Sequence, residues 1–294
     1  MSAPRIGLAL GGGSARGLAH IPMLEVFDEL GLKPQVIAGS SIGALIGAGY
    51  ASGMTAQEIR EHALMVLSNR MGAVRYLFGA KRARISDLLS LRNIASVQFA
   101  GERLTSLVLP ESVAARVEDT LIPLKIIATD YEDRSEQVIT HGPMARAIAA
   151  SIAIPGIIRA TAINGRLLVD GGVTNPVPFD HVRENVDIVV AIDVTGRPRP
   201  SRRRHHSNME LAIGSMLIMF HQIAQLRRAV SPPDIYIEPP VGGFSALEFF
   251  RAKEMIAAAS KAKDELKRAL ERRIDQTRES GPARPRPTAE SARR

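Results

Sequence analysis

Short apolar runs alternate along this chain with longer stretches in which apolar residues recur every three or four positions. The runs Ile6 to Leu10, Val36 to Ala38, Leu124 to Asp130, Gln137 to Thr140, Arg166 to Val169, Asp187 to Val194 and Asp234 to Glu238 predict strands. The periodic stretches predict helices. His20 to Leu30 sets Met23, Leu24, Phe27 and Leu30 on one face, with Gly31 as its stop. Ile42 to Ala51 is small and apolar, and Thr55 with Glu58 forms a capping box for a helix reaching about Leu67. Met144 to Ala153 is helical up to Pro155, and Leu211 to Ala229 is another helix. A long last helix, capped by Ser245, repeats Phe249, Ile256, Leu266, Leu270 and Ile274 on one face. Met71 to Gly101 has no clean period. It fits either a lid or binding loop or one or two helices.

Strands alternating with helices predict an α/β fold, layered α/β/α around a mostly parallel central sheet. Active groups in such sheets lie beyond the carboxyl ends of the strands. Three loops leave predicted strand ends: Gly11 to Gly17, Gly39-Ser40-Ser41-Ile42-Gly43, and Asp170-Gly171-Gly172. This topology lets them converge.

Composition narrows the function classes. The 294 residues are 45% hydrophobic, enough for one large domain or two small ones. Only 4% are aromatic and none is Trp, so stacking on nucleic acid is not expected. With no Cys, disulfides, thiolate metal sites and cysteine nucleophiles are excluded. The net charge of +8 favours polyanionic surroundings, but much of it sits in the run Arg202-Arg203-Arg204-His205-His206 and in a basic tail from Ser280. The first ten residues lack the apolar core of a signal peptide, and Leu211 to Phe220 is too short to span a bilayer. The default is a cytoplasmic protein, with a peripheral place at the inner membrane face left open.

The pentapeptide around Ser41 has the form G-x-S-x-G between a strand and a helix, the context of a nucleophile elbow. A Cβ at Gly39 or Gly43 would collide as strand and helix close on each other. Serine acyl transfer also needs a base and donors for the oxyanion. Gly11, Gly12 and Gly13 offer bare amides, and Asp170, at a strand end, is the candidate base. A turn aspartate bonding its own backbone is the plainer reading of Asp170. Arg16 either faces a phosphate headgroup or is a solvated loop arginine. None of the seven histidines (20, 62, 141, 181, 205, 206, 221) stands where a hydrolase triad places one; His20, just past the glycine loop, bonds backbone or solvent. Gly11, Gly13 and Gly17 also suggest a dinucleotide cradle, but the second strand ends in Gly39-Ser40 rather than in an acid.

Four blocks in order, Gly11-Gly12-Gly13-Ser14-Ala15-Arg16-Gly17, Gly39-Ser40-Ser41-Ile42-Gly43, Ala150-Ser151-Ile152-Ala153-Ile154-Pro155 and Asp170-Gly171-Gly172, resemble those of the patatin-like phospholipases. The likeness is greatest to short bacterial members related to neuropathy target esterase, and covers roughly Ile6 to Val194. It implies lipid acyl-ester hydrolysis by a Ser–Asp dyad without histidine: Ser41 as nucleophile, Asp170 as base, and Gly11, Gly12, Gly13 and Ser14 around the oxyanion. Arg16 would stand close by, and no metal or organic cofactor is needed. Many members have glycine where this chain has Ser14, a departure expected to cost little. The implied layout is a hydrolase domain over residues 1–279, with a motif-bearing core at 6–194 and a helical extension at 207–279, then a disordered basic tail at 280–294. A lipid ester is the implied partner, with contact to an anionic membrane open and the oligomeric state unassigned. A lipid- or nucleic-acid-binding regulator on the same scaffold is the non-enzymatic alternative.

Overall fold

A computed structural model describes residues 4–69, 101–196 and 208–280. Its centre is an eight-stranded sheet: β1 (Ile6–Leu10), β2 (Val36–Ser40), β3 (Leu124–Asp130), β4 (Ser135–Ile139), β5 (Thr161–Ile163), β6 (Arg166–Asp170), β7 (Ile188–Ile192) and β8 (Ile235–Ile237). The order is β5-β6-β3-β2-β1-β7-β8, with β4 paired to β3. The run β3-β2-β1-β7-β8 is parallel, and β4, β5 and β6 are antiparallel to their neighbours. Side chains alternate across it as the pleat requires. Leu8, Leu10, Ile37, Val190 and Ile192 face the larger core, while Ala9, Ala38, Val189 and Ala191 face a smaller one with Phe179 and Val182. The central strands are buried on both faces, which is why they read as unbroken apolar runs.

The helices of the described residues are α1 (His20–Glu29), α2 (Ile42–Ala51), α3 (Ala56–Asn69), α4 (Gly101–Val108), α5 (Met144–Ser151), α6 (Asn208–Val230), α7 (Ala252–Ala259) and α8 (Lys263–Ser280). The stop after α1 is as the sequence predicts, with Gly31 at φ 63°. So is the capping box of α3: the Glu58 amide donates to Thr55 Oγ1 at 3.2 Å and Glu58 Oε2 accepts from the Thr55 amide at 2.7 Å. The long last helix is not continuous. A 3-10 turn at Ser260–Ala262 separates α7 from α8. Helix α4 and the short strand β5 were not predicted. Residues 70–100, the run 202–206 and the tail after Ser280 lie outside the described residues.

One feature of the sheet positions the site. β4 occupies one edge of β3 from Ile126 to Asp130. β2, paired as far as Ile127, and β6, paired from Ala128, therefore share the other edge in tandem. β2 runs up that edge and ends at Ser40, opposite Ile127. β6 runs down it and ends at Asp170, opposite Ala128. The two strand ends meet head to head. Asp170 thus reaches the parallel strands' carboxyl rim by descending along the overhang of β3, not by rising in a parallel strand.

Candidate active site

Ser41 follows the last residue of β2 and caps α2 with φ 52° and ψ −123°. That backbone conformation is one L-residues rarely adopt, and holding it costs of order 1–3 kcal/mol. The surroundings enforce it. A Cβ on Gly39 would stand 2.6 Å from the backbone of Ala44, and one on Gly43 2.1 Å from the Leu10 carbonyl oxygen. Only glycine lets strand and helix close this tightly. The Ser41 amide donates to Ser151 Oγ at 2.8 Å, and Ser151 Oγ donates to the Ile127 carbonyl at 2.6 Å. Ser151, at the end of α5, thus ties the elbow to β3.

The Ser41 hydroxyl donates to Asp170 Oδ2 at 2.7 Å, and Asp170 Oδ1 accepts from the Gly172 amide at 2.8 Å. Asp170 is fully buried and Ser41 nearly so. Burial pushes the Asp170 carboxyl up to about 6, against the hydrogen bonds from Ser41 and Gly172, which hold it down. Both earlier readings of Asp170 are visible at once. One oxygen closes its own turn and the other faces the serine. No described histidine bonds to either residue.

The glycine loop lies against the elbow, with a Cβ on Gly12 falling 3.3 Å from Ser41 Cβ. Its amides are not equivalent. The Gly11 amide donates to the Ile192 carbonyl at 3.0 Å and the Gly12 amide to the Pro176 carbonyl at 2.8 Å. Gly11 and Gly12, expected as oxyanion donors, spend those N–H groups on the fold. The amides of Gly13 and Ser14, and that of Ile42 at the start of α2, have no acceptor among the described residues. Ser14 adopts φ 53°, a conformation that suits glycine, so its side chain costs about 1 kcal/mol.

Arg16, expected to face a phosphate headgroup or solvent, is partly buried and held by backbone carbonyls. Nε donates to the Phe244 carbonyl at 2.8 Å and Nη1 to the Thr195 carbonyl, which straps the loop to the chain beyond β7 and β8. His20 is buried, with Nε2–H donating to the Gly11 carbonyl at 2.8 Å, and desolvation lowers it to about 4. It is a neutral brace for the glycine loop.

Beside the elbow, α2 turns Ile42, Leu45, Ile46 and Gly49 toward α3. With Leu18, Met54, Ala63 and Val66 they line an apolar cavity of about 130 Å³. An engineered apolar cavity of similar size, about 150 Å³, stays dry and admits a hydrocarbon ligand. Among the described residues, two clusters have the residue types of a metal site, Asp193–His221–Glu238 and Glu136–Asp180–His181. Their oxygens are already engaged. Asp193 accepts from the Thr195 amide and hydroxyl and from Tyr236, and Glu136 from Asn175 and Arg227.

Comparison with known proteins gives the family. The family model described as patatin-like phospholipase matches residues 8–183. An uncharacterised NTE family protein of Mycobacterium tuberculosis is 33% identical over 196 residues, which are 66% of this chain and 50% of that protein. Lysophospholipase NTE1 of Pyricularia oryzae is 25% identical over 279 residues, 87% of this chain and 18% of that one. The chain therefore spans half or less of the length of these relatives. The crystal structure of VipD from Legionella pneumophila aligns with a TM-score of 0.44 and 11% identity, over 92% of this chain and 67% of that one.

Proposed function

The chain belongs to the patatin-like phospholipase family, and on that premise we propose that its lipid esterase activity runs on Ser41 and Asp170 alone, with single-chain lipid esters of lysophospholipid type as substrates. The observation that carries this reading is the 2.7 Å bond from a strained, elbow-held Ser41 to a buried Asp170. Asp170 takes the hydroxyl proton as Ser41 Oγ attacks the acyl carbonyl. Negative charge gathers on the former carbonyl oxygen, where the amides of Gly13, Ser14 and Ile42 have donors to give. Collapse expels the alcohol, which takes the proton from Asp170. Water, activated by the same carboxylate, then releases the fatty acid. The helix dipole of α2 adds partial positive charge beside the oxyanion.

The test is covalent labelling. A fluorophosphonate is expected to leave a single adduct on the peptide holding Ser41 while the protein hydrolyses a short-chain ester and a lysophospholipid. A folded protein that neither labels nor turns over short esters would point instead to a lipid-binding role.

The cavity along α2 is the place for the acyl chain. From Ile42 to Gly49 the helix advances about 10 Å, the length of a zigzag of roughly eight carbons. A Cβ on Gly49 lies 3.4 Å from Ile59 and from Met54 Sδ, so Gly49→Leu fills the far end. That variant is expected to lose about 10-fold or more in kcat/KM on esters beyond about eight carbons, and to hydrolyse acetate esters as the parent does. An unchanged chain-length profile would remove the cavity from the substrate path. Contact with an anionic membrane through Arg202, Arg203 and Arg204 belongs to this reading too, although those residues lie outside the described ones.

A further inference from the structure

Helix α6 carries a second apolar face that nothing among the described residues covers. Its 23 residues hold charges only at Glu210, Arg227 and Arg228. One face, Ile213, Leu217, Phe220 and Ala224, is buried in the protein. On the other, Leu211, Ile218, Met219, Leu226 and Val230 are 52%, 64%, 57%, 67% and 86% exposed. At 100° per residue these five fall within one stripe about 120° wide, whose polar positions are Asn208, Ser215 and Gln222. Surface helices ordinarily turn charge toward water; this one turns leucine, isoleucine and methionine.

We propose that this face is an interfacial docking surface for a lipid bilayer, with α6 lying flat in the headgroup layer and its stripe sunk into the acyl boundary. The area decides between a bilayer and a second copy of the chain. A third of a helical cylinder about 11 Å across and about 30 Å long is roughly 350 Å². A stable protein interface needs about 800 Å² from each partner, so the stripe is too small for one. It matches the in-plane helices of peripheral proteins, whose apolar faces enter the membrane by about 5–10 Å. No helix of the described residues is long and apolar enough to cross the membrane.

The inner face connects this surface to the site. The Phe220 ring packs on the turn after Asp170: a Cβ on Gly172 would lie 2.3 Å from it. One helix thickness, about 10 Å, therefore separates the dyad's turn from the bilayer. The cations at the end of α6 are committed to the fold. Arg227 pairs with Glu136 and Asp180, and Arg228 lies over the Tyr236 ring at 4.2 Å. Attraction through α6 is thus apolar, and salt should not release it. The value of such docking to the enzyme rests on the lipid esterase reading; the docking itself does not.

Cosedimentation with vesicles tests this, using neutral phosphatidylcholine alone and phosphatidylcholine mixed with phosphatidylglycerol, each at low salt and at about 1 M salt. The parent is expected to bind both, with little loss at high salt. The triple variant Ile218→Glu, Met219→Glu, Leu226→Glu is expected to bind neutral vesicles at least about 10-fold more weakly while hydrolysing a soluble acetate ester at the parental rate. Since binding is read without turnover, failure of the esterase reading would show separately, as a parent that binds vesicles yet hydrolyses no soluble ester. Three results would overturn the proposal: a parent that binds only anionic vesicles and only at low salt, a triple variant that binds as the parent does, or a parental dimer in sedimentation equilibrium that the triple variant turns into a monomer.

Discussion

Asp170→Asn is expected to lower turnover of a soluble ester by about 10²–10⁴-fold and, above pH 6, to make the protein harder to unfold. The two effects have one cause. The carboxyl is fully buried and its pKa stands near 6, above the value of about 3.9 that an unfolded aspartate shows. Folding therefore favours the protonated form. The stability Asp170 contributes is complete below about pH 4 and is lost as pH rises through about 6. Above that point the ionised carboxylate costs the fold on the order of 3 kcal/mol relative to acid. Chemistry needs the ionised form, because only it accepts the Ser41 proton. Parental kcat/KM should accordingly fall about tenfold per pH unit below about 6, with a plateau above. Asparagine keeps the shape and carries no charge. Its stability gain in urea unfolding should appear at pH 8 and vanish at pH 4. A variant retaining more than a tenth of parental turnover, or a parental profile flat through pH 6, would remove Asp170 from the role of base.

How much of this was legible in the sequence depended on the range of the interactions involved. The elbow is local. Gly39, Ser41 and Gly43 sit within five residues, so their spacing alone implies the turn that the structure holds at φ 52°. The oxyanion loop was legible only in part. Which amides remain free is decided by the carbonyls of Ile192 and Pro176, far away in sequence, and these take Gly11 and Gly12. The direction of β6 was hidden for the same reason, since three paired residues on the overhang of β3 set it. Ser151 stood in view within the block Ala150 to Pro155, yet its bonds to Ser41 and Ile127 arise only when α5 packs on the elbow. Arg16 reads as a loop cation until the chain beyond β7 returns to accept its hydrogen bonds at Thr195 and Phe244. The apolar period of α6 was plain, but periodicity cannot say that, among the described residues, a helix with two apolar faces finds a partner for only one.

A pair of substitutions at Ser41 separates the chemistry of the elbow from its strain. Ser41→Ala and Ser41→Gly both remove the hydroxyl, and each is expected to abolish fluorophosphonate labelling and reduce ester turnover by at least about 10⁴-fold. Both also remove the donor to Asp170 Oδ2, so that loss cancels in a comparison of their stabilities. The backbone does not cancel. At φ 52° and ψ −123° alanine keeps a Cβ in a conformation that costs about 1–3 kcal/mol, and glycine does not. Glycine loses about 0.5–1 kcal/mol of that advantage to its freer unfolded chain. The glycine variant should therefore unfold at the higher temperature, by about 1 kcal/mol or roughly 2 °C in a chain of this size. Equal midpoints, or a less stable glycine variant, would mean the elbow is relaxed rather than strained. Ester turnover surviving in both would place the nucleophile elsewhere. If activity is lost in both and the midpoints differ as expected, Ser41 is held in a costly conformation for the sake of its hydroxyl.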